Sequence, residues 1–171
     1  MRNLKNKIEL KVLGISDKMQ MAKLLNNKKI LNNLRNHIPY PYTEKDAETF
    51  IESVKNDPQQ QVFSIYFEGN FCGIISLIFQ NDIYENTDEL GYWLGETYWG
   101  KGIAGEAVSQ ITRIGFEDFR LRRIFAKTFE NNLASMSVLE KNGYKREGIL
   151  KKAILKNGKI LDEYVYGKLH V

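Results

Sequence analysis

Gly100, Gly102 and Gly105 fall in the run Trp99-Gly100-Lys101-Gly102-Ile103-Ala104-Gly105-Glu106-Ala107. A strand-like segment, residues 89–94, precedes this run, and an amphipathic segment over residues 103–119 follows it. A glycine-rich turn from strand to helix constrains the fold around it, because backbone there enters conformations closed to other residues and approaches a ligand with no Cβ in the way. The first turn of the following helix leaves its N–H groups unpaired, at the positive end of the helix dipole. Together these features make a phosphate cradle. The sequence therefore predicts binding of a phosphorylated small molecule.

Two common phosphate loops fit poorly. An NTPase P-loop needs Gly-x-x-x-x-Gly-Lys-Ser/Thr, with a hydroxyl for magnesium. Here Gly100-Lys101 runs on into Gly102-Ile103, with neither Ser nor Thr in place. A dinucleotide fingerprint, Gly-x-Gly-x-x-Gly, is matched literally by Gly100, Gly102 and Gly105. That motif belongs to the first strand–helix unit of a repeating α/β domain. Here it comes after the middle of the chain, and too little sequence follows to build a doubly wound sheet.

The rest of the chain reads as an α+β order with no linker or repeat. Residues 8–13 predict a strand, and Ser16 or Asp17 caps a helix running to about Leu25. A short helix is expected over 30–34. Pro39-Tyr40-Pro41-Tyr42 forms an extended break, and Thr43 to Asp46 reads as the cap of a helix ending near Val54. Residues 62–67 and 71–79 read as a hairpin turning at Gly69-Asn70. Beyond the loop, a helix is expected over 102–119, with apolar positions 103, 104, 107, 108, 111, 114 and 119 on one face. A strand over 124–129 and a helix over 133–141 follow. The chain then closes with a hairpin of residues 144–155 and 163–169 around Asn157-Gly158. Helices interrupting a mostly antiparallel sheet disagree with a repeating βαβ domain.

Composition bounds the function classes. A chain of 171 residues is long enough for a real core in a single domain, residues 1–171. There are 25 Lys and Arg against 21 Asp and Glu, a net charge of +4. That mild excess suits an anionic ligand but not a nucleic-acid partner, which would need a basic stripe. No apolar run is long enough to span a membrane. Residues 1–11 lack the apolar stretch of a signal peptide, so a cytoplasmic location is expected. The single Cys72 lies in an apolar run and reads as a buried small hydrophobe rather than a nucleophile. No His/Cys/carboxylate cluster has metal-ligand spacing, so no metal is expected.

The loop Trp99-Gly100-Lys101-Gly102-Ile103-Ala104 resembles the Gln/Arg-x-x-Gly-x-Gly/Ala loop of the GNAT superfamily of acetyl-CoA-dependent N-acyltransferases, with Trp99 in place of Gln or Arg. Its Tyr-Trp-Gly-Lys-Gly form is similar to the branch containing the ribosomal-protein N-terminal (alanine/serine) acetyltransferases. Asn132-Leu133-Ala134-Ser135 and Val138-Leu139-Glu140-Lys141-Asn142-Gly143-Tyr144 resemble that branch's Asn-x-x-Ser…Leu-Glu-Lys-x-Gly-Phe segment. The tail from Arg146-Glu147-Gly148 through Asn157-Gly158-Lys159 to Asp162-Glu163-Tyr164-Val165 completes the match.

The resemblance implies a GNAT fold, a mixed and mostly antiparallel sheet flanked by helices with splayed central strands. It implies acetyl-CoA as cosubstrate, lying where the strands at 89–94 and 123–129 part. Pantetheine amides would pair with the strand edge at Trp93 and Leu94. The pyrophosphate would meet Trp99, Gly100, Lys101, Gly102, Ile103, Ala104 and Gly105. Asn132 would bond a pantetheine amide or cap the next helix, with Asn131 taking the other task. Lys141, Lys145 or Arg146 would meet the ribose phosphate.

Many relatives place a thiolate-protonating tyrosine where this chain has Leu139, so Ser135 becomes the candidate donor to the leaving sulfur. Glu89 is the first candidate base, with Glu96, Glu130 and His37 behind it. The acidic stretch Asp82, Glu85, Asp88 and Glu89 would attract a cationic amine or would simply be solvated. The acceptor is expected to be a primary amine: a protein N-terminal α-amine ahead of a polyamine or antibiotic. A catalytically silent acyl-CoA-binding module is the contrasting reading, and a homodimer is left open.

Overall fold

The computed structural model describes residues 4–171, so the first three residues of the basic 1–11 segment lie outside the described residues. Seven strands form one sheet in the order β1-β2-β3-β4-β5-β7-β6. They are β1 (Ile8–Val12), β2 (Gln60–Phe67), β3 (Asn70–Phe79), β4 (Thr87–Leu94), β5 (Arg123–Phe129), β6 (Lys145–Lys156) and β7 (Lys159–Leu169). Among the described residues five α-helices accompany them: α1 (Lys18–Leu25), α2 (Lys28–Leu31), α3 (Glu44–Lys55), α4 (Ile103–Glu117) and α5 (Leu133–Lys141). Each sheet pairing is antiparallel except β4 with β5, which is parallel.

The sheet has a core on each face, because alternate strand residues point to opposite sides. Leu90, Leu94, Ile124, Ala126 and Tyr166 pack with Ile103, Ala107, Val108 and Ile111 of α4 and with Met136 and Leu139 of α5. On the other face Val62, Ile74 and Trp93 pack with Met21, Leu25, Ile30, Ala47 and Ile51 of α1 to α3. The α4 stripe follows the 3.6-residue period, though Ile114 is only half-buried while Thr112 and Gly115 are buried with the apolar residues. Cys72 is buried, donates to the Ile65 carbonyl at 3.1 Å, and has its thiol pushed up to about 12 by burial. It is a core residue.

Several boundaries differ from the sequence expectation for local reasons. The first hairpin turns at Glu68-Gly69, not Gly69-Asn70, because Phe67 pairs with Asn70. Both turn residues have positive φ, 49° and 81°, which a two-residue turn matched to strand twist requires. The short helix begins at Lys28, not Ile30, because Asn27 Oδ1 accepts the Lys29 N–H at 2.9 Å and sets its start. Helix α4 stops at Glu117, short of Phe119, which instead packs edge-to-face on Phe79.

Asp17 precedes α1 but makes no side-chain cap. Its buried carboxylate accepts from Ser64 Oγ at 2.6 Å, from the Gly14 N–H at 3.1 Å, and from the Tyr66 hydroxyl. Thr43 and Asp46 do form the expected capping box. In the last hairpin, β7 begins at Lys159, four residues before the expected start, and the turn is at Asn157-Gly158 as expected.

Candidate active site

Residue pairing between β4 and β5 runs from Thr87↔Arg123 to Leu90↔Ala126 and then stops. Beyond that point β4 stays on β3 as far as Leu94↔Gly73, and β5 stays on β7 as far as Phe129↔Glu163. The two strands therefore part from Gly91 onward, leaving a strand edge that an extended ligand can join. A cavity of about 640 Å³ opens there. It is lined by Tyr92, Trp93 and Leu94 of β4, by the turn and first residues of α4, and by Asn131 to Ser135 at the start of α5.

The glycine turn behaves as its sequence requires at two of three positions. Gly100 and Gly102 have φ of 71° and 79°, and Gly102 is the N-cap of α4. A left-handed N-cap that lacks a side chain leaves the first N–H groups of α4 facing the cavity. Gly105 is different: it lies within α4, and an added Cβ would meet nothing nearer than Asn142 Nδ2 at 3.9 Å. Trp99, standing where Gln or Arg is usual, donates its indole N–H to the Leu94 carbonyl at 2.9 Å and so braces the loop against β4.

Most of the candidate cofactor residues come together. Trp93, Leu94, Trp99, Gly100, Gly102, Ile103, Ala104, Gly105, Asn132 and Lys141 all line the cavity. Lys101 does not; its ammonium lies 5.6 Å from the centre of the Tyr98 ring. Asn132 caps α5, its Oδ1 accepting the Ser135 N–H at 3.2 Å, while Asn131 lines the cavity. Lys145 and Arg146 are exposed and outside the lining, with the Arg146 guanidinium over Tyr164.

Ser135 also lines the cavity, with its Oγ 2.8 Å from the Tyr92 hydroxyl. Leu139 is fully buried in the core, so its position contributes no polar group. Tyr92 was not singled out by sequence, although its place two residues from both Leu90 and Leu94 puts it on the α4–α5 face. Burial pushes its phenol up to about 12, although the Ser135 hydrogen bond lowers it.

The candidate bases are placed elsewhere. Glu89 sits where β4 and β5 are still paired, outside the cavity lining, with Oε1 3.6 Å from the Arg35 guanidinium. Glu96 is held by Lys29 and by Asn27 Nδ2 at 2.6 Å, and these bonds keep its carboxyl below the usual range. It clamps α2 onto residues 96–98. Glu130 and His37 are also outside the lining. The acidic stretch is divided: Asp82 and Glu85 are exposed, Asp88 is buried, and Glu89 faces the opposite side of the sheet from Asp88. Among the described residues, no cavity-lining side chain is a carboxylate and no group of three or more His, Cys, Asp or Glu could hold a metal.

The wall opposite the α4 turn comes from α2 and the segment after it, through Ile30, Asn33 and Leu34. The last hairpin fastens this segment from outside. Lys156 Nζ donates to the Leu34 carbonyl at 2.7 Å, Asn157 Nδ2 to Asn32 Oδ1 at 2.9 Å, and Asn36 Nδ2 to the Leu155 carbonyl at 3.1 Å. The Pro39–Tyr42 break is pinned too, with the Tyr42 N–H donating to Asn26 Oδ1 at 2.7 Å. No helix among the described residues is long and apolar enough to cross a membrane.

Acetyl-CoA fits these residues. Its pyrophosphate matches the N–H groups at the start of α4, and its extended amide-bearing arm matches the unpaired β4 edge. Comparisons with known proteins agree. Residues 7–145 match the family model described as an acetyltransferase (GNAT) domain. The chain is 34% identical over 139 residues to the uncharacterized N-acetyltransferase YnaD of Bacillus subtilis (strain 168), covering 81% of each. It superposes on RimL, a ribosomal L7/L12 alpha-N-protein acetyltransferase in complex with coenzyme A, with a TM-score of 0.87 at 22% identity, covering 97% of this chain and 96% of that one. It superposes on spermidine N-acetyltransferase from Vibrio cholerae, in complex with CoA and spermine, with a TM-score of 0.83 at 22% identity, covering 96% of each. At that identity the two structures speak for the fold. The family match carries the activity: the chain belongs to the GNAT acetyltransferase family and is an acetyl-CoA-dependent N-acetyltransferase.

Proposed function

We propose that the acceptor is an α-amine at the N-terminus of a polypeptide, taken in its neutral form, with Ser135 serving the leaving sulfur. The observation that carries this reading is the lining itself, in which no described side chain is a carboxylate and Lys141 is the charged residue. Such a cavity offers a polycation no counter-charge. It also offers no carboxylate base, so the amine has to arrive with its proton already lost. At pH 7.5 about a third of an α-amine with pKa near 7.8 is neutral, against about one in a thousand of an alkylamine near 10.4. The lining thus favours the weaker base by more than a hundredfold in reactive species.

Each residue then has a defined task. When bound, acetyl-CoA supplies an acetyl group as a thioester. The start of α4 binds its pyrophosphate, and the edge of β4 at Trp93 and Leu94 orients its arm. Ser135 donates a hydrogen bond to sulfur as the carbon–sulfur bond breaks. Ile30 and Leu34 exclude water on the acceptor side, where a neutral amine loses little by desolvation.

The test is a panel of acceptors at fixed acetyl-CoA, read by thiol release: peptides with free or blocked N-termini, spermidine and an aminoglycoside. Free-N-terminal peptides should turn over, with kcat/KM rising as pH approaches the α-amine pKa. Turnover confined to spermidine or the aminoglycoside would refute the reading. The similarity to spermidine N-acetyltransferase makes a small-molecule amine the second reading.

A further inference from the structure

The Tyr92 hydroxyl lies 2.8 Å from Ser135 Oγ and 3.4 Å from the Ser135 carbonyl oxygen. Tyr92 belongs to the part of β4 that no longer pairs with β5, and both side chains line the cavity. A serine hydroxyl by itself turns freely and, near a helix start, tends to bond backbone. Here Asn132 Oδ1 holds the Ser135 N–H, which fixes the backbone beneath the hydroxyl. What remains undetermined by Ser135 alone is where its hydrogen points.

We infer that Tyr92 is a positioning residue for acetyl transfer: its O–H donates to Ser135 Oγ, which leaves the Ser135 hydrogen free to point at the departing sulfur. This rests on the reading of Ser135 given above. In the reverse arrangement Ser135 donates to Tyr92 and has nothing left for sulfur, so the direction of this one bond decides whether the pair is useful. Negative charge growing on sulfur selects the productive direction, because a donor to a charged acceptor gains more than a donor to a neutral one. A hydroxyl that accepts a bond is also the stronger donor.

The pair steadies the thiolate without protonating it. The Tyr92 phenol is pushed up to about 12, whereas an ordinary thiol titrates near 8.5, so the phenol keeps its proton beside a thiolate. In the step itself the amine nitrogen bonds to the acetyl carbon, the carbon–sulfur electron pair goes to sulfur, and the surplus proton on nitrogen leaves to water. Tyr92 and Ser135 finish as they began.

The experiment is a double-mutant cycle of Tyr92→Phe and Ser135→Ala with two readouts. One is kcat at saturating acetyl-CoA. The other is the pH at which the thiol of bound CoA ionises, followed by its ultraviolet absorbance without acceptor. Ser135→Ala should lower kcat roughly tenfold or more and Tyr92→Phe roughly threefold to tenfold. The double variant should match Ser135→Ala, and both single variants should raise the bound thiol's titration, with CoA affinity and melting temperature held. If Tyr92→Phe lowers kcat by the same factor in both backgrounds, or leaves the thiol titration unmoved, Tyr92 only packs and the inference fails while Ser135 keeps its role. If Ser135→Ala changes neither readout, the Ser135 reading fails first.

Discussion

Asp88 allows a quantitative test of how burial is organised beside the site. Asp88 is 1% exposed, its Oδ2 has no hydrogen-bond partner, and the Gln80 backbone N–H donates to the carboxyl. Burial pushes the carboxyl from its ordinary 3.8 up to about 6. A carboxyl whose folded pKa is raised binds more protons folded than unfolded between those values, so stability falls as pH rises through that window. Below about 4 the cost is absent, and above about 6 it is fully present. At 1.36 kcal/mol per unit, the shift corresponds to about 2–3 kcal/mol lost at neutral pH.

Asp88→Asn keeps the shape, can still accept from Gln80, and has no charge to desolvate. It should therefore be more stable than the parent by about 2–3 kcal/mol at pH 8, or roughly 5–10 °C in melting temperature for a chain of this size. The advantage should shrink towards zero near pH 4. Urea unfolding of both proteins across that range isolates the term, because the other titrating groups cancel in the difference. A gap independent of pH, or a variant less stable at pH 8, would refute the account and mean that Asp88 is held as a satisfied carboxylate.

Three further outcomes follow from the site. Glu89→Gln should change kcat/KM less than about threefold, since Glu89 faces Arg35 outside the lining; a loss beyond about a hundredfold in a pH–rate profile would make it the base after all. Gly102→Val places a β-branched side chain at φ 79°, with its Cβ 3.1 Å from Leu4 Cδ1. It should cost about 1–2 kcal/mol of stability, and calorimetry should show CoA affinity falling at least about tenfold. Lys156→Met removes the donor to the Leu34 carbonyl but keeps the stem. It should raise KM for the amine severalfold while CoA affinity stays within about twofold, and parallel losses in both would show that the hairpin supports the whole cavity.

How much of this was legible in sequence depended on the range of the interaction. Helix α4 and the turn before it were readable because a 3.6-residue stripe and a positive-φ glycine are local facts. The Asn157-Gly158 turn was readable for the same reason. The end of β4–β5 pairing at Leu90↔Ala126 was not, because parallel register is set across a helical crossover rather than by a turn. The Tyr92–Ser135 bond spans 43 positions, and the bonds holding residues 32–36 to the last hairpin span 119 to 125. No pattern within one element predicts such contacts. Strand alternation alone placed Tyr92 on the right face, which was the signal left unused. Glu89 shows the same limit: opening the right strand brought it near the loop in sequence, but its place in the still-paired part of β4 and its contact with the Arg35 guanidinium are set by residues far along the chain.

These distances also explain why cofactor and acceptor should be separable by mutation. The cofactor side is built from neighbours in sequence, a strand end, a turn and a helix start, seated on the α4–α5 core. The proposed acceptor wall hangs from the other core through α2, and is tied down by Glu96 on one side and by Lys156 and Asn157 on the other. A change in those ties moves Ile30, Asn33 and Leu34 while leaving the start of α4 in place. Variation among relatives in the amine they accept is then expected to track the last hairpin and the segment after α2, with the Trp99–Gly105 turn unaltered. Exchanging the 155–157 tip should therefore shift acceptor preference before it shifts acetyl-CoA binding; a tip exchange that weakened both equally would show that the two walls are one cooperative unit.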